Sequence, residues 1–113
     1  MSTIFKKIID KEIPAKIIYE DDEILAFEDI SPVAPIHIII IPKIEIRTLN
    51  NLEDNDALIM GKLILVAKKI ASQKGIAEDG YRVVFNCNEN GGQTVFHIHC
   101  HLIGGRVLDW PPG

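Results

Sequence analysis

Very little in this chain suggests a secreted, membrane-bound or nucleic-acid-coating protein. Only two of its 113 residues are cysteine, Cys87 and Cys100. That is too few for a disulfide framework, and with no signal-peptide layout at the N-terminus they read as reduced thiols. No apolar run nears the length of a bilayer span; the longest lies around Ile38–Ile41. There is no excess of positive charge either. Twelve Lys and Arg face sixteen Asp and Glu, for a net charge of −4 and a pI near 5.5. This excludes a general nucleic-acid binder that works by neutralising phosphates, but it allows a local anion site. Repeats, low-complexity tracts and linkers are also missing. These absences predict one soluble, cytoplasmic domain over residues 1–113, with no membrane and no nucleic acid among its partners. The 47% hydrophobic content is ordinary for a globular chain that buries about two-thirds of its unfolded surface.

The patterning that is present reads as short strands with helices outside them. Thr3 can cap a short helix over residues 3–11 that carries Ile4, Phe5, Ile8 and Ile9, and Pro14 stops it. Ile17–Tyr19 and Ile24–Phe27 read as strands joined by an acidic turn, followed by a loop stiffened by Pro32 and Pro35. His37–Ile41, closed by Pro42, predicts a central strand buried on both faces. One long helix is expected from about 54 to 73. Its apolar stripe would be Leu58, Leu63, Ile64, Ala67, Ile70 and Ala71, and Gly75 would be its C-terminal glycine. Tyr81–Phe85 is a further strand, 86–92 a polar loop, and 97–103 the last strand. Grouped strands with hairpin-length connections favour an α+β domain with a mainly antiparallel sheet.

The stretch His97-Ile98-His99-Cys100-His101-Leu102-Ile103 carries three of the four histidines. In a strand they would share one face, with Phe96, Ile98, Cys100 and Leu102 on the other. Three readings compete. A half-exposed strand could simply carry histidines. A metal site is possible, but at about 3.3 Å per residue His97 and His101 lie roughly 13 Å apart along the backbone. A Zn–N bond is about 2 Å, so further ligands would have to be His37 or a carboxylate. The third reading is nucleophilic catalysis at phosphorus, for which a neutral imidazole is suited near pH 7. Gly91-Gly92, Gln93 and the Thr94 hydroxyl immediately upstream supply groups able to approach phosphate closely.

The motif resembles that of the histidine triad family, His-φ-His-φ-His-φ-φ with φ apolar, and specifically its nucleotide-binding Hint branch. The resemblance extends along nearly the whole chain. It includes Thr3-Ile4-Phe5, Lys11-Glu12-Ile13-Pro14-Ala15, Ala26-Phe27, Asp29-Ile30-Ser31-Pro32, Ala34-Pro35 with His37, Gly91-Gly92-Gln93, Gly104-Gly105-Arg106 and Trp110-Pro111-Pro112-Gly113. It implies a five-stranded antiparallel sheet with one long and one short helix, the sheet extended across a homodimer. The implied activity is hydrolysis of purine nucleoside 5′-phosphoramidates, with no cofactor and no metal. His99 would be the nucleophile, oriented by the main-chain carbonyl of His97. His101 and Thr94 would serve the phosphate, and His37 would support the triad. Asn86, Gly92 and the backbone near Gln93–Thr94 would bind ribose or phosphate. Asp29 would hold the ribose hydroxyls, with Phe5, Ile8, Phe27 and Ile30 around the base. Trp110 would help complete the partner subunit's site. Thr94 stands where many members carry Ser, Cys100 where Leu, Val or Met is usual, and Glu28 where His or Arg is frequent. The alternatives are a dinucleoside polyphosphate hydrolase of the same family and a zinc-binding or regulatory interaction protein.

Overall fold

Five short aliphatic segments pair into one antiparallel sheet in the computed structural model, which describes residues 2–113; Met1 lies outside them. The strands are β1 (Ile17–Glu20), β2 (Ile24–Glu28), β3 (Ile36–Pro42), β4 (Tyr81–Val84) and β5 (Cys100–Gly104), in spatial order β1-β2-β3-β5-β4. The acidic turn closes the β1–β2 hairpin as its composition predicts. Asp21 Oδ1 accepts the N–H groups of Glu23 and Ile24, both at 2.8 Å.

β3 lies at the centre, paired with β2 on one side and β5 on the other. Its side chains alternate between two cores, which is why it can be nearly all isoleucine. Ile38 and Ile40 pack toward the long helix with Ile24, Ala26, Cys100 and Leu102. Ile39 and Ile41 pack toward the short helix with Leu25, Phe27, Phe5 and Ile8. The short helix, α1 (Ile4–Ile9), begins where Thr3 Oγ1 accepts the Lys6 N–H at 3.1 Å.

Two single-turn 3₁₀ segments, Leu49–Asn51 and Asp54–Asp56, precede the long helix α2 (Ala57–Gln73). Asp54–Asp56 therefore lies outside the α-helix in which the periodicity placed it. The helix ends in a Schellman motif, with Ile76 N–H bonded to Ala71 O and Gly75 N–H to Ser72 O, and Gly75 at φ +75°. Its buried stripe also differs from the expected one. Ile59, Leu63, Val66, Ala67, Ile70 and Ala71 face the sheet, whereas Leu58 and Ile64 are 71% and 52% exposed. Each exposed residue is one position away from a buried one, and one position turns about 100° around a helix.

The histidine segment is only partly strand. β5 starts at Cys100, and residues 97–99 approach it as irregular chain. Pairing with β3 ends at Ile40–Cys100 because the backbone beyond that point is engaged elsewhere: Ile98 N–H bonds to Ile46 O at 2.6 Å.

Candidate active site

The β3–β5 register sets Ile39 opposite His101 and His37 opposite Ile103. His37 and His101 thus emerge on the sheet face away from α2. Their rings form a hydrogen-bonded chain. Val33 N–H donates to His37 Nδ1 at 3.2 Å, so His37 carries its proton on Nε2 and donates it to His101 Nδ1 at 2.9 Å. The remaining proton of a neutral His101 is then on Nε2, the nitrogen outside this chain. Asp29 Oδ2 lies 3.5 Å from His37 Nε2, while Asp29 Oδ1 accepts the Ser31 N–H at 2.7 Å. The aspartate both caps its loop and borders the site.

His99 Nδ1 donates to the His97 main-chain carbonyl at 2.7 Å. That fixes the tautomer and leaves the Nε2 lone pair free. The carbonyl is itself immobilised, because its peptide unit is tethered through Ile98 N–H to Ile46 O. The His99 ring stands edge-to-face between Phe5 and His101, with both centroid separations 4.9 Å.

The His97 ring is a different kind of group. It is fully buried, Nε2 donates to Pro42 O at 2.7 Å, and Nδ1 has no partner among the described residues. The three imidazoles are therefore not equivalent: one anchors the backbone, one presents a lone pair and one presents a proton.

Burial pushes all four histidines below their ordinary pKa. The Asp29 charge opposes this at His37, the Pro42 carbonyl at His97 and the His97 carbonyl at His99. His101 is pushed to about 4, by burial first and then by the charges His99 and His37 would carry if protonated. Burial also raises the Cys100 thiol to about 12, so it behaves as a small core residue.

The stability consequence has a definite sign. Below the unfolded value of 6.5 the unfolded chain takes up protons that the folded chain refuses, so stability falls with pH. We expect the thermal midpoint to be nearly flat above about pH 7 and to drop between roughly pH 6.5 and 4.5, above most carboxylate titration. Scanning calorimetry at constant ionic strength checks this, and a midpoint that rises on acidification in that window would contradict it.

Two clefts flank the triad. One, of about 320 Å³, is lined by Phe5, Ile8, Phe27, Asp29, Ile30 and Ile39. It brings together the residues expected around a base and ribose. Phe5, Ile8 and Phe27 also belong to the α1-side core, while Ile30 is 91% exposed at the rim. The other, of about 570 Å³, opens on the His101 side, with Asn86 in its wall.

In the loop before the triad, Thr94 is exposed and its hydroxyl makes no hydrogen bond among the described residues. Gly92, at φ +82°, gives its N–H to Glu89 O. Gln93 is buried and fully engaged. Nε2 donates to Arg47 O (2.8 Å) and Val95 O (3.1 Å), Oε1 accepts from Asn88 N–H (2.9 Å), and its own N–H goes to Asn88 O. Its side chain ties the 43–48 loop to the triad approach instead of pointing at a ligand. Trp110 is 82% exposed and lines neither cleft.

Asp29, His37 and His101 also place one donor atom each within 4.8 Å of one another, a set compatible with a metal ion. The contacts that sequence reasoning missed are main-chain ones, namely the Pro42, Ile46 and Arg47 carbonyls and the Val33 N–H. Their side chains carry no signal of this.

A HIT domain matches residues 10–108. The chain is 58% identical over 106 residues to the purine nucleoside phosphoramidase of Escherichia coli (strain K12), a match covering 94% of this chain and 89% of that protein. It is 54% identical to the 14 kDa zinc-binding protein of Zea mays, covering 98% of this chain and 88% of the relative. The crystal structure of a HIT family hydrolase from Legionella pneumophila Philadelphia 1 superposes with a TM-score of 0.97 at 51% identity, covering 99% of this chain and all of that one. With a family domain spanning most of its length and relatives more than half identical from end to end, the chain belongs to the histidine triad (HIT) family, on its Hint branch.

Proposed function

We propose that the protein is a purine nucleoside phosphoramidase that hydrolyses the P–N bond of nucleoside 5′-phosphoramidates through a nucleotidyl-His99 intermediate. The observation that carries this is the His99 tautomer. With Nδ1–H held by the His97 carbonyl and burial suppressing protonation, Nε2 is a free lone pair at neutral pH. In the reaction His99 Nε2 attacks phosphorus and the P–N bond breaks. His101 Nε2–H hydrogen-bonds the departing nitrogen, which takes its proton from solvent as it leaves, and water then cleaves the nucleotidyl-imidazole. The apolar cleft beside Phe5 and Phe27 receives the base, Asp29 the ribose hydroxyls, and Asn86, Gly92 and the Gln93–Thr94 backbone the phosphate side. High identity to the E. coli phosphoramidase supports this reading.

We read residues 1–113 as one domain, working in the cytoplasm as a homodimer without nucleic acid. Two features support the dimer. Among the described residues the free edge of β4 carries no ion pairs, whereas the opposite edge strand β1 is blocked by Lys11–Glu20 and Lys43–Glu20 pairs. The outer face of α2 exposes Leu58, Ile64 and Leu65. In that assembly Trp110 would reach the partner's site. No helix among the described residues is long and apolar enough to cross a membrane.

The test is steady-state hydrolysis of adenosine phosphoramidate with and without chelator. We expect turnover that chelator leaves intact and that exceeds turnover of a dinucleoside polyphosphate. Activity abolished by chelator and restored by zinc would favour instead a metal held by Asp29, His37 and His101.

A further inference from the structure

On the function proposed above, the nucleoside enters the cleft of Phe5, Phe27 and Asp29 with its ribose at Asp29. The glycosidic nitrogen of a purine then lies near Asp29. Its six-membered ring, with the exocyclic 6-amino group, points away from the triad. The stretch just after α1 stands at that far end. Lys11, at φ +62°, turns the chain back past the helix, with its N–H on Ile8 O at 3.1 Å and the Glu12 N–H on Lys7 O at 2.9 Å. Ile13, Pro14 and Ala15 then run beside Ile8 and form the far wall of the cleft. None of these four side chains carries a hydrogen-bond donor or acceptor, so none holds the amino group.

The same four residues line a second groove of about 350 Å³, which continues past them to Lys11, Glu12 and Ile17 at the start of β1. The two spaces follow α1 end to end. Ile4 and Phe5 border the first, Ile8 borders both, and Lys11 borders the second. The lining of the outer groove is mostly aliphatic, and its one cation is already engaged: Lys11 Nζ donates to Glu20 Oε1 at 2.8 Å. Glu12, exposed at the edge, repels an anion. An apolar groove in line with the remote end of the base suits an apolar extension of the base itself.

We infer that this groove is an outer base subsite, and that the preferred substrates are purine nucleoside phosphoramidates whose 6-amino nitrogen carries an apolar group. The inference rests on the proposed function through the orientation of the nucleoside. The chemical step is unchanged, because the substituent lies at the opposite end of the nucleoside from phosphorus. It binds equally in the ground state and the transition state, so it lowers KM and leaves kcat alone.

The test compares adenosine 5′-phosphoramidate with its N6-benzyl and N6-carboxymethyl derivatives. We expect the benzyl compound to show a KM about tenfold lower at unchanged kcat, the scale of partly burying one apolar side chain. The carboxymethyl compound should show no such gain. Ile17→Glu places a charge in the outer groove, beyond the base cleft. It should bring the benzyl advantage below about threefold while the KM of adenosine phosphoramidate stays that of wild type. Glu12→Ala should keep the benzyl advantage. KM does not depend on the amount of folded enzyme, so a partial loss of folded variant leaves the comparison intact. A benzyl compound no better than adenosine in wild type, an equal gain for the carboxymethyl compound, or a benzyl advantage unmoved by Ile17→Glu would overturn the subsite. If no phosphoramidate reacts, the proposed function itself fails. Calorimetric titration with N6-benzyladenosine monophosphate and adenosine monophosphate then reads the groove separately, with the same tenfold difference expected and equal affinities overturning it.

Discussion

Replacing His99 by alanine is expected to lower adenosine phosphoramidate turnover by at least about 10³-fold, while adenosine monophosphate still binds within roughly threefold of wild type. The asymmetry follows from what the ring touches. Among the described residues its Nδ1 bonds only to the His97 carbonyl and its Nε2 has no partner, so little of the ligand cleft depends on it. The walls of that cleft come from α1 and the segment after it, β2, the loop after β2 and Ile39 of β3, and the substitution meets them at Phe5. The lost ring face against Phe5 leaves a small cavity and a modest fall in stability. A single-turnover assay and calorimetric titration of the same preparation check both halves. Retained turnover would remove His99 from the chemistry, and loss of nucleotide binding in parallel would show that the ring serves binding as well.

His101→Asn has the second largest expected effect, a fall of about 10²-fold or more in kcat for amine leaving groups. His101 presents Nε2–H only because its Nδ1 accepts from His37, and His37 donates only because Val33 N–H occupies its own Nδ1. Burial that pushes His101 to about 4 means the donor is the neutral ring, used through its tautomer and not through a standing positive charge. The prediction is therefore selective. For an adenosine 5′-phosphoryl ester of an acidic phenol, which departs without a proton, the loss should shrink to about tenfold or less. Equal losses for amine and phenol leaving groups would contradict a hydrogen bond from His101 to the departing nitrogen and indicate that His101 mainly holds the phosphate. His37→Gln should follow the same selectivity more weakly, since it disturbs the tautomer without removing the donor ring.

Much of this fold was legible because its signals are local. Continuous isoleucine from 38 to 41 required burial on two faces, and β3 has a core on each side. Asp21 closed its turn and Thr3 its helix by contacts within three residues. The α2 stripe was shifted because Leu58 and Ile64 are as apolar as their buried neighbours, and only the sheet decides which side faces in.

The site was half legible. The alternation of histidines announced chemistry but treated the rings alike. The family resemblance separated them and named the His97 carbonyl behind His99, but the Pro42 carbonyl and the Val33 N–H are groups every residue possesses and no side-chain pattern marks. Strand pairing from 97 was expected because alternation is what a strand looks like. The chain instead gives the Ile98 N–H to Ile46, and that departure holds the carbonyl behind His99 in place. The Gln93 side chain carried no reading of its own beside Gly91-Gly92, and its amide ties Arg47, Asn88 and Val95 together.

The nucleotidyl-imidazole is the centre of this account, and the steric course at phosphorus tests it most directly. The measurement uses wild type and an adenosine phosphoramidate made chiral at phosphorus by sulfur, with the configuration of the product read after hydrolysis in isotopically labelled water. Attack by His99 followed by attack by water gives two inversions, so net retention is predicted. Net inversion would mean that water displaces the amine in one step, and His99 would then be at most its general base.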